Sequence, residues 1–458
     1  MKRFVVTLAI LLSSVSMWAQ TIPAYYHEAE YVEQKIEQIA NNIEEAKDGV
    51  TFAYITDGHW RDNGKQSFPL IHYLGTHVRI PFTVYGGDNI FAFGTKESAI
   101  EEADYYVRAM QCYAPIYGVK GNHDITIRNG WHDEGGYTAS AEEIYDYTVR
   151  PIAQRVKGVE GKCYYYWDDN TQDVRYIVLD LFENVNTSIS WGVNYGVSQQ
   201  QVDWLVKRAL KCKGKTLVIF THASIDPKLG GVKEVAFLHE LFIAMQNGER
   251  FVHNEGVKVD ADFRKSRNTV ACIVSGHAHR DDSNFERGVL SISTICDAAY
   301  NDDPKFKELP RQRGTINEQA FDIMTINPAL QMIKAVRIGQ GKDREWSYSK
   351  EYGGEIWERT MPKFMGQDLS AFRMWVMKNI KFPPLAIEKK LSGRVLVSFV
   401  VGKDGSLNPD DIKVVQTPDN LLSDEVVRVV KASPQWEAGT INGKSTRVKY
   451  TIPIVFNL

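Results

Sequence analysis

Five short polar blocks, each placed where an apolar, β-branched run ends, constrain this chain more than any other feature. The runs Thr51–Thr56, Ile80–Tyr85, Ile116–Val119, Leu217–Thr221 and Ala271–Ser275 read as strands. Behind them stand Asp57-Gly58-His59, Asp88, Asn122-His123-Asp124, His222 and His277-Ala278-His279. In an α/β sheet, side chains at the carboxyl ends of neighbouring strands face one crevice. What would meet there is three carboxylates, one amide and five imidazoles, with no thiolate. Such oxygen and imidazole donors suit divalent cations of intermediate hardness, and their number suits two held close together. Turn residues and core histidines would account for each side chain singly. They do not account for the shared placement. Gly86, Gly87, Gly121 and Gly276 fall where a strand must turn sharply, through positive φ or a close backbone approach.

The blocks Asp57-x-His59, Gly87-Asp88, Gly121-Asn122-His123-Asp124, His222 and Gly276-His277-x-His279 resemble the calcineurin-like metallophosphoesterase family, and they come in its order. The resemblance implies an α/β/β/α sandwich: two facing mixed sheets flanked by helices, with the metals at one edge. It implies that Asp57, His59 and His279 hold one metal and Asn122, His222 and His277 the other, with Asp88 bridging. A metal-activated hydroxide would then attack phosphorus. His123 would donate to the leaving oxygen or stabilise the charged equatorial oxygens. Asp124 would orient the His123 ring, with a helix cap as its plainer role. Phe91 occupies the place of the iron-binding tyrosine of purple acid phosphatases, so two divalent ions without tyrosinate (manganese, iron or zinc) are expected.

At 458 residues the chain exceeds what one core usually supports, and more than one domain is expected. A net charge of −3 with no Lys/Arg stripe speaks against tight binding to nucleic acid or an anionic membrane. Metal cations, not a basic patch, would neutralise an anionic substrate. Residues 1–19 read as a secretory signal: Lys2-Arg3, the apolar Phe4–Val15, then small residues before Ala19-Gln20. That apolar stretch is shorter than the roughly 20 residues that span a bilayer, so a mature periplasmic or secreted chain without a transmembrane span is expected. Five cysteines, an odd number without a Cys-x-x-Cys, argue against a disulfide scaffold, and Cys272 reads as a buried small hydrophobe.

Residues 20–48 read as an N-terminal helical extension, 49–337 as the α/β domain, 338–362 as a linker and 363–458 as a second domain. Within the first domain Lys96–Tyr113 and Ser198–Lys211 are the clearest helices, with Ser198 as N-cap and Gln201 at the capping-box position. Gly130–Val156 and Asp226–Asp262 read as long connections able to wall a pocket, and they hold Trp131, His132, Tyr137, His239, His253 and Asn254. Trp60 and Arg61, which directly follow His59, are further pocket candidates. The terminal stretch has its own grammar. Helices are expected at Gln367–Ile380 and Leu421–Lys431, strands at Gly393–Val401 and Ile412–Gln416, and an Asn442-Gly443 hairpin before a final long strand.

From Phe364 to Leu458 the chain resembles the carboxy-terminal domain of TonB-type energy transducers. The likeness rests on Gly393–Val401, Lys403-Asp-Gly405, Pro434-Gln-Trp436, Asn442-Gly-Lys444 and Thr451-Ile-Pro-Ile454. It implies a small α+β module of the Gram-negative envelope that pairs a strand with a partner peptide. With no proline-rich spacer, docking fits better than force transmission. The expected protein is a binuclear metal-dependent phosphoesterase carrying an envelope docking module. The rival is a non-catalytic envelope protein that recognises a phosphorylated ligand or a partner peptide.

Overall fold

Phe52 and Tyr54 alternate with Thr51, Ala53 and Ile55 along one strand, so two aromatic rings share one face. That face meets the rings of a second sheet. Phe52 packs edge-on against Tyr176 (5.9 Å between centroids) and Phe220 (5.7 Å), and Tyr117 stacks on Trp167 at 3.9 Å. Phe52, Tyr176 and Phe220 are wholly buried in this seam. Truncating one such ring to alanine typically costs about 3–5 kcal/mol.

The computed structural model describes residues 29–46, 49–59, 63–89, 96–112, 114–124, 126–127, 137–169, 171–183, 195–299, 311–350 and 353–457. The expected signal at 1–19, and Trp60, Arg61, Phe91, Trp131 and His132, lie outside them. The chain divides into two compact units, Met1–Glu355 and Ile356–Leu458.

In the first unit two seven-stranded sheets face each other. One runs, in spatial order, Gly354–Glu355, Arg344–Ser347, Met332–Gly339, Ala320–Asn327, Val50–Ile55, Thr83–Tyr85, Ile116–Gly118. The other runs Asp282–Glu286, Val289–Ser293, Thr269–Ser275, Thr216–Phe220, Val174–Val178, Tyr165–Asp169, Lys157–Gly158. Both are mixed, and the neighbouring parallel strands are those expected to carry the polar blocks: 50–55 beside 83–85 beside 116–118, and 216–220 beside 269–275. Helix Ala29–Glu45 packs on the outer side of the first sheet, where the Tyr31 hydroxyl accepts from Gly339 N at 2.9 Å. Helix Lys233–Asn247 covers the second sheet. The α/β/β/α sandwich is thus the observed fold of this unit.

Three expectations change here. The stretch expected as a linker from residue 338 is largely sheet: Gly339–Asp343 turns an antiparallel meander whose strands run on to Glu355. Its glycines and charges read as a linker because they form the turn, while Trp346 and Tyr348 lie wholly buried behind it. The Asp226–Asp262 connection is a helix followed by a hairpin, Arg250–His253 against Val259–Asp262. Ser198 does cap its helix, accepting from Gln201 N at 3.1 Å, but the Gln201 side chain reaches Asp180 instead of closing a box. A chain ended after Glu355 should remain soluble and melt cooperatively. One ended at Arg337 should aggregate, because it exposes the core that Trp346 fills; soluble yield and a thermal melt of the two truncations decide this.

In the second unit Val395, Val397, Phe399 and Val401 are wholly buried on one face of the strand Gly393–Val401. This strand pairs antiparallel with Lys413–Gln416 on one side and Val448–Phe456 on the other. Helices Leu369–Asn379 and Asn420–Lys431 supply Phe372, Val376, Leu422, Val426 and Val429 to the same core. Asn442-Gly443 turns the hairpin between Gly439–Ile441 and Lys444–Thr446. Among the described residues no helix is long and apolar enough to cross a membrane.

Candidate metal centre

Asp57, His59, Asp88, His277 and His279 all hold positive φ, between 43° and 61°. Left-handed backbone costs an L-residue roughly 1–2 kcal/mol, and Asp and His tolerate it better than most. Five such residues in three loops turn the chain back on itself at the strand ends, so successive side chains point inward. Glycine serves the same loops differently. A Cβ built on Gly276 would overlap Thr56 Oγ1 and Asp57 Oδ2, and one on Gly121 would overlap the Asp88 carboxyl group. Gly276→Ala should therefore displace Asp57 and lower both metal content and Tm while removing no ligand. Unchanged metal content on elemental analysis would refute the packing argument.

Those loops bring the sequence-selected side chains together in two adjoining groups. In the first, His279 Nε2 lies 3.1 Å from Asp57 Oδ1 and 3.3 Å from His59 Nε2. In the second, His222 Nε2 lies 3.1 Å from Asp88 Oδ2, 3.2 Å from Asn122 Oδ1 and 3.3 Å from His277 Nδ1. Asp88 Oδ2 also stands 3.8 Å from His59 Nε2, so it lies between the groups. Donors sharing one ion at bonds of about 2.1 Å stand about 3.0–3.4 Å apart. The spacings of 3.1–3.3 Å fit that requirement, His59 stands further off at 3.7 Å from Asp57 and 3.8 Å from Asp88, and the donors are the oxygens and imidazoles that divalent ions of intermediate hardness take. Asp57, Asp88 and His222 are almost fully buried. The His123 ring sits edge-on to His59, 4.7 Å between centroids, and its backbone N–H donates to Asp88 Oδ1 at 2.8 Å.

Supporting contacts fix which atoms face inward. His222 Nδ1 meets the Gly86 carbonyl at 2.8 Å, which places a proton there and turns Nε2 toward the centre. Thr56 Oγ1 donates to Asp57 Oδ2 at 2.6 Å, and the His277 backbone N–H donates to the same oxygen at 3.0 Å. Asp124 accepts from the backbone N–H groups of Asp88, Asn89 and Gly121 and from the Asn89 amide, at 2.8–3.1 Å. It therefore ties the Asp88 loop to the Asn122 loop. Burial, then the facing Asp88 carboxylate, raises Asp124 to about 7. Burial alone would raise Asp57 and Asp88 too, yet the neighbouring imidazoles hold both below the usual carboxylate range. Burial opposes the charge on His222, but Asp88 and Asp57 lift it to about 9. Burial lowers His59 to about 3 and His277 to about 4. Among the described residues, protons on the pocket's own histidines offset its carboxylate charge, and a cation would take their place.

Two contributors escape a reading of the sequence. Tyr195 Oη lies 2.8 Å from His277 Nε2, so it orients that ring with Nδ1 toward His222. It lies far from any ligand block in sequence, and no pattern marks it. Outer partners of ligands typically contribute 10–100-fold in metal affinity. Tyr195→Phe should weaken metal binding at the His222–His277 group by roughly that factor, read by metal titration. The buried Lys120–Asp180 pair, 2.5 Å apart, joins the end of a strand in one sheet to the end of one in the other, directly before Gly121. Of the expected pocket residues, His239 is buried away from this group against Asp226 and Ser291, His253 stacks on Phe237 at 4.4 Å, and Asn254 is exposed.

The final segment can be matched to a family. Residues 378–458 match the Gram-negative bacterial TonB protein C-terminal. The solution structure of the Helicobacter pylori TonB C-terminal domain aligns with this TonB-like module at 26% identity, covering 19% of this chain and 91% of that one, with a TM-score of 0.16. Solved structures of phosphoesterases also align with part of the chain. A predicted phosphoesterase from Streptococcus pneumoniae covers 65% of this chain and 98% of its own, at 10% identity and a TM-score of 0.28. Phosphopantetheinyl hydrolase from Mycobacterium tuberculosis covers 54% and 89%, at 15% identity and a TM-score of 0.31. No curated protein matches the chain.

Proposed function

We propose that the first unit is a binuclear metal-dependent phosphoesterase acting on a phosphomonoester or phosphodiester in the periplasm or outside the cell. One observation supports the reading: two donor groups, Asp57 with His59 and His279 and Asp88 with His222 and His277, adjoin where Asp88 Oδ2 lies 3.1 Å from His222 and 3.8 Å from His59. Asp57, His59 and His279 would hold one cation, and Asn122, His222 and His277 the other, with Asp88 between them. Manganese, iron or zinc bound there would supply Lewis acidity toward a phosphoryl oxygen and activation of water near neutral pH. The protein's own groups do the rest. His123 stands beside both donor groups and moves a proton to the leaving oxygen. Asp124 holds the Asp88 and Asn122 loops in register, which is the role its hydrogen bonds support. The TonB-like module docks the enzyme to an envelope protein, and its edge strand Lys413–Gln416, exposed throughout, suits pairing with a peptide.

The deciding experiment is elemental metal analysis alongside hydrolysis of one chromogenic phosphomonoester and one phosphodiester with added manganese. About two metals per chain and turnover of either ester are expected. Metal-free protein after reconstitution would overturn the enzyme reading and favour a non-catalytic binding protein.

A further inference from the structure

Asp226, His239 and Glu286 lie outside the centre described above, yet a ligand atom from each falls within 4.8 Å of the others. Asp226 follows His222 by four residues, Glu286 ends the strand that follows His279, and His239 comes from the helix covering the same sheet. Asp226 is 0% and His239 1% exposed. His239 Nε2 stands 3.5 Å from Asp226 Oδ2 and 3.4 Å from Ser291 Oγ. Both distances exceed a good N–H···O hydrogen bond. They match the roughly 3.4 Å edge of a tetrahedron of donors around an ion with bonds of about 2.1 Å.

We propose that Asp226, His239 and Glu286, with the Ser291 hydroxyl beside them, form a further divalent-metal site that clamps the chain after His222 to the edge strand after His279. The donor set of two carboxylates, an imidazole and a hydroxyl fits zinc or another first-row divalent ion. Lys228 Nζ, 3.4 Å from Glu286 Oε2 and 61% exposed, offsets one of the two carboxylate charges. A cation entering past half-exposed Glu286 would displace that ammonium group. The Asn284 amide, 2.8 Å from Asp226 Oδ2, presents NH₂ to the carboxylate, and a half-turn would offer its oxygen as another donor. Because this ion would brace both segments that carry His222 and His279, its effect on the main centre is positional.

The test uses the full chain, stripped with chelator, reloaded with zinc alone and desalted before elemental analysis. Wild type should hold one zinc more per chain than His239→Gln, and zinc should raise the Tm of wild type further. Glu286→Gln, a half-exposed change that spares the core, should weaken that one zinc at least about tenfold. Asp88→Asn should lose metal from the main centre and keep this one, which separates the two sites. Equal zinc in wild type, His239→Gln and Glu286→Gln overturns the proposal, whatever Asp88→Asn does. If His239→Gln does not fold, the Glu286→Gln titration decides alone.

Discussion

Asp88→Asn will remove metal and hydrolysis together, and it is the single substitution expected to do most damage. Asp88 Oδ2 lies 3.1 Å from His222 Nε2 and 3.8 Å from His59 Nε2, so its charge serves both donor groups. Its other oxygen receives the His123 backbone N–H at 2.8 Å, so the same carboxyl group also positions the residue proposed as proton donor. Asparagine keeps the shape, removes the charge and turns one oxygen into an NH₂ group. A metal pair contributes several kcal/mol of charge stabilisation, and each 1.36 kcal/mol is tenfold in rate, so turnover should fall on the order of a thousand-fold or more. Elemental analysis of the same preparation should show metal lost in parallel. Full metal content with full activity would refute the bridging role.

His123→Ala should keep the metal and slow the chemistry. A positioned general acid typically contributes about 10²–10⁴-fold, and the His123 ring packs against His59 beside the site. Its effect must depend on the leaving group. An ester with an alkyl alcohol needs the proton and should lose most of that factor; a nitrophenyl ester leaves readily without it and should lose far less. Comparing kcat for the two esters in wild type and variant isolates the role. Loss of metal in His123→Ala would show instead that the ring is a ligand, which its place beside His59 and Asp88 also permits.

The site was legible in sequence because its chemistry is local. Each polar block directly follows a β-branched run, and a strand's carboxyl end is where a parallel sheet exposes side chains. The buried alternation of Val395, Val397, Phe399 and Val401 was legible for a similar reason: a period of two fixes one face of a strand. The reach of the first unit was not. Residues 338–355 are rich in Gly and charge because they build a turn and an edge, and only their pairing with Met332–Gly339 reveals them as sheet. His239 misled for the converse reason: a histidine in an apparent loop is a buried helical residue once the helix closes over Ser291.

By itself, then, the sequence determined which donors this protein has and at which strand ends they stand, since residue type and hydrophobic period are properties of neighbouring positions. Only the tertiary structure decided which donors stand within reach of one another. That depends on the left-handed backbone at Asp57, His59, Asp88, His277 and His279, on the close approach of Gly121 and Gly276, and on partners as distant as Tyr195. These contacts join residues as far apart as Asp57 and His279, separated by 222 positions. No local pattern records such a meeting, because it arises from the packing of two sheets.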